Sequence, residues 1–317
     1  FTLAPLVAES FRNDDVSQFT WLFGRRSANS ADPFLTARVG PPSATGGLPG
    51  RSSAPALDPP GDGFLRLTSA ATNQGAFVIY NQPFPASGGV SISFEIFQYG
   101  GTGADGISFF LVDGTANPTQ SGLPGGGLGY VDIVGGYLGI GFDAFGNFST
   151  PLLGGQTTVP RGGPGARADS VAVRGGVATN FTFLTGQSLG SSIDVPLANG
   201  GNRTNSRRLV KIDVTQAGIL SVQIDLNQDN DFADTGEQPI TNFDVATVNG
   251  ALPATFKLGF AASTGNATNI HEIRSLDVQS ILPIVDFTAP SITVPESIGT
   301  TTTTVQLSNA VANNVTV

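Results

Sequence analysis

The chain has 317 residues, with 42 Gly, 21 Pro, no Cys, no Met and a formal net charge of −9. The missing Cys excludes disulfides, thiolate metal sites and a Cys nucleophile, and only two lysines with no basic stripe exclude a nucleic-acid surface. No uninterrupted apolar run reaches the ~18 residues of a membrane helix, so membrane insertion is not expected.

This length fits one large β domain plus a smaller piece. Asp outnumbers Glu nineteen to five, which suits hard divalent cations. A chain without Met is expected to begin at a processed N-terminus or at a boundary within a longer protein. A removed signal peptide would fit a secreted or cell-surface location.

Residues 1–40 are mixed and hold the only Trp, Trp21. Residues 41–63 form a Pro/Gly/Ser stretch without periodicity and read as a loop. Strands are expected at 64–68, 75–80 and 90–97, where apolar residues alternate or run together. Ala104-Asp105-Gly106 then opens an apolar strand at 107–112. After GGGLGY at 125–130, a second apolar strand at 137–142 runs into Asp143-Ala144-Phe145-Gly146-Asn147. Another Gly/Pro loop, 148–168, precedes a strand at 170–173, and 181–208 reads as a surface excursion. Residues 209–214 and 219–226 read as a hairpin around Gln216-Ala217-Gly218. The last strands of this region are 256–262 and 270–278. No amphipathic helix of useful length interrupts the series. Many short strands split by turn residues imply an all-β sandwich.

Two stretches carry cation chemistry. Asp143 and Asn147, four apart around an aromatic, offer a carboxylate, an amide oxygen and the Phe145 carbonyl to calcium. DLNQDNDFADTGEQ crowds Asp225, Asn227, Asp229, Asp231, Asp234 and Glu237 into thirteen residues, with oxygens at positions 1, 3, 5 and 7 of a calcium-loop pattern. Position 6 is Asn230 rather than Gly, and Glu237 falls one place late. This is a second calcium candidate, against a solvated acidic hairpin tip.

The ordered set ADG, GGGLGY, FDAFGN and GFAASTG, over roughly residues 8–280, resembles the L-type (legume-like) lectin family. FLRLTSA followed by GAFVIYNQPF is similar to its bacterial members. The resemblance implies a concanavalin-like jelly-roll sandwich with one flat and one curved sheet. It implies that Asp105 follows a cis peptide and accepts hydrogen bonds from two sugar hydroxyls. A backbone N–H of the glycine loop, at Gly125, Gly126 or Gly127, would donate to the sugar. Asn147 would hold calcium with its oxygen and sugar with its amide NH₂. Phe145 would stack on a pyranose or pack in the core. Ser263, Thr264 and Gly265 would shape monosaccharide choice or serve only as a turn.

The family's plant members place a transition-metal ligand, Glu, where this chain has Gly141. Their Asn-x₄-Asp-x₄-His pattern is also missing, since Asn147 leads into FSTPLLGG. No transition metal is expected, and Asp169 is the remaining carboxylate for the calcium site. His271, the only His, reads as structural.

Residues 281–317 form a linker and an incomplete β-sandwich segment that resembles the start of a Calx-β domain, with strands near 291–294 and 302–307. About thirty-four residues cannot bury a core alone. Either later strands of a longer chain complete it, or neighbouring subunits self-associate through it. The fold also hosts glycosidases, which need two placed carboxylates. The five glutamates, Glu9, Glu95, Glu237, Glu272 and Glu296, form no such motif, so catalysis is not expected, although Asp pairs stay open. The expected function is calcium-dependent binding of glycans or cell-surface polysaccharide by an extracellular or surface adhesin. The alternative is a structural subunit of a surface layer or filament that has lost sugar binding.

Overall fold

The computed structural model of the protein describes residues 5–26, 30–281, 285–287 and 305–307. Two large sheets face each other. The nine-stranded sheet runs Ile240–Asp244, Ile219–Ile224, Arg207–Val214, Val90–Tyr99, Ile270–Ser280, Leu65–Thr68, Phe34–Val39 and Gly50–Arg51, with Val7–Glu9 added to Ile270–Ser280. The seven-stranded sheet runs Phe183–Ser188, Ser170–Arg174, Gly136–Asp143, Gly106–Asp113, Thr255–Ser263, Gly75–Pro85 and Trp21–Arg25. Its pairings are all antiparallel.

Side-chain alternation explains the layers. Arg207–Val214 buries every second residue, Val210, Ile212 and Val214 among them, and turns the others outward. Phe94 on one sheet meets Phe109 and Phe260 on the other, with ring centroids 5.6 and 4.9 Å away. Such aromatic pairs contribute about 0.5–1.5 kcal/mol beyond their buried area. The seven-stranded sheet is covered on both faces. Along Gly106–Asp113, Ile107, Phe109 and Leu111 enter the core between the sheets, while Phe110 and Val112 join a second cluster with Leu128, Tyr130, Phe148 and Leu153. The 115–135 and 144–169 segments are thereby held against the outer face of the sheet.

Every strand expected between 64 and 112 is present, as are the hairpin pairing Arg207–Val214 with Ile219–Ile224 and the two late strands. The stretch read as mixed or loop holds four more strands, Val7–Glu9 among them. Trp21–Arg25 pairs with Gly75–Pro85, and Trp21 is wedged edge-on between Phe11 and Tyr80. Phe34–Val39 is antiparallel to Leu65–Thr68 and parallel to the two-residue Gly50–Arg51. The surface excursion contains Phe183–Ser188, the edge strand beside Ser170–Arg174. These elements escape periodicity because they are short. Helices are confined to Arg203–Ser206, Val245–Asn249 and single 3₁₀ turns among the described residues.

Val285–Phe287 and Val305–Leu307 pair antiparallel as a small separate ladder. The strand expected near 291–294 lies outside the described residues, as does Glu296. No described helix is long and apolar enough to cross a membrane.

Candidate functional site

Register gathers the candidate residues. Ser170, Asp143, Gly106 and Ser263 are lateral partners on four neighbouring strands of the seven-stranded sheet. The residues just beyond that row, Asp105, Ala144–Asn147, Thr264 and Gly265, therefore lie at one end of the sheet.

Asp105 follows a cis Ala104–Asp105 peptide. Its backbone is fixed on both sides: its N–H donates to the Ser263 carbonyl at 3.0 Å, and its carbonyl accepts from Ala144 and Phe145 N–H at 3.0 and 3.1 Å. Its side chain is 3% exposed. Oδ1 accepts from Asn147 Nδ2 at 3.4 Å, and Oδ2 is buried with no protein partner. Asn147 is half-buried, and its Oδ1 is also buried without a partner. Burial raises the Asp105 pKa to about 6, against the lowering effect of the Asn147 bond.

Glycines make room for this pair. A Cβ on Gly126 would overlap the Leu153 carbonyl oxygen and come within 3.0 Å of Asn147 Cγ. A Cβ on Gly154, which has φ +64°, would lie 2.9 Å from Asn147 Nδ2. A Cβ on Gly265 would sit 3.5 Å from Asp105 Oδ2. Gly127 does not belong to this wall. It faces Leu123, and its N–H already donates to the Pro124 carbonyl. Gly125 faces the Gln156 side chain, and its carbonyl accepts from Ser263 Oγ at 3.1 Å.

Ser263 and Thr264 were expected to shape monosaccharide choice. Their hydroxyls instead join neighbouring loops. The Thr264 hydroxyl donates to the Ala71 carbonyl at 2.6 Å and accepts from Gln74 N–H at 2.9 Å. Both residues are buried, and Gly265 borders the Asp105 carboxylate. Phe145 is 51% exposed and stands beside the site rather than in the core. His271 is buried and bonded through Nδ1 to the Thr68 hydroxyl at 2.6 Å, and burial lowers its pKa to about 3. It is a neutral core residue.

The calcium expectation at Asp143, Phe145, Asn147 and Asp169 is not matched by the geometry. Both Asp143 oxygens close the turn that follows: Oδ1 accepts from Gly146 N–H and Oδ2 from Phe148 N–H, each at 2.7 Å. Burial still raises its pKa to about 7, the largest cause, while these two bonds lower it. Asp169 turns elsewhere, with Oδ1 accepting from Ile193 N–H at 3.1 Å and Ser192 Oγ at 3.0 Å. Its acidic neighbour is Asp194, whereas that of Asp143 is Asp105. The two carboxylates thus serve separate hydrogen-bond networks. These residues, as arranged, do not fit a calcium ion.

The acidic loop does come together, but as a self-capped turn. Buried Asp225 accepts from Gln228 and Asn230 N–H at 2.6 and 3.0 Å, and buried Glu237 accepts from Leu226 and Asp234 N–H at 2.7 and 3.2 Å. Asn230 takes φ +70°, so Asn fills the left-handed position that the calcium-loop pattern gives to Gly. Asp229 and Asp234 converge on the Asn227 amide nitrogen at 2.9 and 2.6 Å. Asp231 Oδ1 instead accepts from Ala233 N–H at 2.9 Å. Among the described residues, no three His, Cys, Asp or Glu side chains are placed to hold one metal ion.

One functional candidate was missed. Arg174, at the end of Ser170–Arg174, is fully buried behind the site loop. Its signal in the sequence was a lone charge directly after the apolar strand expected at 170–173, to which no role was assigned.

No protein-family model matches the chain, and no curated protein sequence does. Solved structures do. The chain superposes on lectin II from Ulex europaeus with a TM-score of 0.52 and 15% identity, covering 87% of this chain and 98% of that one. It superposes on a Lotus tetragonolobus seed lectin with a TM-score of 0.50 and 17% identity, covering 87% and 99%. The protein has the concanavalin-like jelly-roll fold of these lectins.

Proposed function

We propose that the protein is a carbohydrate-binding module whose site is centred on Asp105 and Asn147. The observation that carries this reading is the pair of buried acceptors, Asp105 Oδ2 and Asn147 Oδ1, left without partners beside the Asp105–Asn147 bond. Buried polar atoms without partners are costly, and adjacent sugar hydroxyls supply donors of the right kind. A carboxylate also makes the stronger, charge-assisted bonds. Exposed Phe145 offers a ring for the apolar face of a sugar, and Gly265 keeps a side chain off the Asp105 carboxylate. The superposition on two lectins supplies the fold, and the motifs at Asp105 and 143–147 supply the family resemblance. Asp105, Asn147, Phe145, Gly126 and Gly265 form the site in this reading. A secreted or cell-surface setting, as part of an adhesin, follows from the same resemblance. Residues 1–280 make up the lectin-like unit, and 281–317 begin a second one.

The reading includes no catalysis. Each described glutamate is engaged in a structural role: Glu95 with Arg207 and Arg274, Glu272 with Arg66 and Arg203, Glu9 with Phe11 and Ser17 N–H, and Glu237 in the acidic loop. Calcium, in this reading, is left to the acidic loop, where a cation would have to displace the Asn227 amide from between Asp229 and Asp234. Binding to a glycan array by the wild-type chain, lost in Asp105→Asn, tests the proposal. A wild-type chain that binds no glycan would favour the structural-subunit alternative.

A further inference from the structure

The 26-residue connection between Gly136–Asp143 and Ser170–Arg174 carries Phe145 and Asn147, and it lacks a sheet of its own. One side chain gathers it. The guanidinium of Arg174 donates from Nε to the Phe148 carbonyl at 2.8 Å. Nη1 donates to the carbonyls of Arg161 and Phe181 at 2.9 and 3.0 Å. Nη2 donates to those of Thr150 and Gly162 at 2.9 and 3.4 Å. A guanidinium has five N–H donors, and here five carbonyls from three chain segments receive them. Its carbon lies 5.3 Å from the centroid of the Phe148 ring. That ring in turn fills the space that a side chain at position 141 would need, because a Cβ on Gly141 would lie 2.8 Å from Phe148 Cε1. Phe148 directly follows Asn147, so the carbonyl bonded by Nε is one residue from the site amide.

We propose that Arg174 is a built-in cation that positions Asn147, so that the site loop is ordered without a metal ion. The inference rests on the glycan-site reading for its functional meaning. Gly141 leaves room beneath the loop for the Phe148 ring, which packs against the Arg174 guanidinium. The charge needed is present at neutral pH: burial and the neighbouring Arg161 lower the Arg174 pKa only to about 10, and Asp143 opposes the shift. Arg174 is a positioning residue and touches no ligand itself.

The test is hydrogen exchange of the 147–163 amides, read by mass spectrometry on the full chain, with and without chelator. Protection in the wild type is expected to be unchanged by chelator. Arg174→Met is expected to speed exchange in that segment by about tenfold or more, since it strands five carbonyls, while the Val90–Tyr99 and Arg207–Val214 strands stay protected. Arg174→Lys, with three donors and no fork, should fall between the two. If chelator alone removes protection from the wild-type loop, a metal and not Arg174 orders it, and the proposal is overturned. Unchanged exchange in Arg174→Met would overturn it equally. Should Arg174→Met fail to fold, the chelator comparison and Arg174→Lys still decide. Because exchange needs no ligand, a chain that binds no glycan would defeat the glycan reading while leaving this result legible.

Discussion

Asp105 and Asn147 stand 42 positions apart in sequence, yet Nδ2 of one lies 3.4 Å from Oδ1 of the other. Two adjacent strands meeting in register, Gly106 opposite Asp143, bring them together. The other oxygen of each side chain is buried and unpaired. Leaving buried oxygens without donors is costly, and ligand hydroxyls would supply donors to both.

Two buried carboxylates should therefore respond oppositely to amidation. Glu272 is fully buried but satisfied by Arg66 at 2.8 Å and by Arg203 at 2.7 and 2.9 Å. Glu272→Gln breaks a buried ion network and should cost about 3–5 kcal/mol in urea unfolding. Asp105→Asn removes a poorly compensated charge and should leave the midpoint unchanged or raised. A loss above about 1 kcal/mol in Asp105→Asn would show that its carboxylate is structural.

Binding and stability should also diverge with pH. The folded-state pKa of Asp105 is raised to about 6 by burial, above the ordinary aspartate value of 3.8. The folded chain therefore holds the proton more tightly than the unfolded chain. The Asp105 contribution to stability is fully present below about 4 and is lost as pH rises toward about 6. Sugar affinity should run the other way, because the ionised carboxylate is the better acceptor. Calorimetric affinity is expected to fall as pH drops from 7 to 5. Asp143 faces the same site and titrates with raised pKa too, so Asp105→Asn is the control. A pH profile that is identical in both proteins would assign the effect elsewhere.

Crowding Asn147 should weaken binding without unfolding the sandwich. Gly126→Ala introduces a methyl against the Leu153 carbonyl and the Asn147 side chain. Overpacking of this kind costs about 1–3 kcal/mol, and displacement of Asn147 should lower affinity by about tenfold or more. Gly61→Ala is the control, because φ is +100° there but no atom lies within 4 Å of its Cβ. Equal affinities in the two variants would remove Gly126 from the site.

Calcium should act at the acidic loop. Asp229, Asp231 and Asp234 are exposed and close together, and like charges repel. Asp229→Asn with Asp234→Asn should remove one calcium per chain in titration calorimetry and leave glycan affinity intact. Unchanged stoichiometry would show that the loop is closed by its own N–H bonds alone.

The strands flanking the site were legible because they are apolar runs ended by Gly or Asp, with Asp105, Asp143 and Asn147 at those ends, while the role expected of Asp105 came from the family resemblance. The roles of Ser263 and Thr264 were not, since only the fold shows Gly125 and Ala71 waiting for their hydroxyls. The spacing of Asp143 and Asn147 suggested calcium at 143–147, but each oxygen of Asp143 accepts an N–H that closes the turn. Arg174 was invisible for a related reason. Its five acceptors come from residues 148–181, and no local pattern marks backbone carbonyls that converge on one side chain.

The central claim, a sugar site at Asp105 and Asn147, is tested most directly by glycan-array binding of the wild-type chain beside Asp105→Asn. The account expects a defined set of glycans bound by the wild type, and signals at least about tenfold lower for the variant, as loss of a charge-assisted bond implies. Equal binding by both proteins would contradict it.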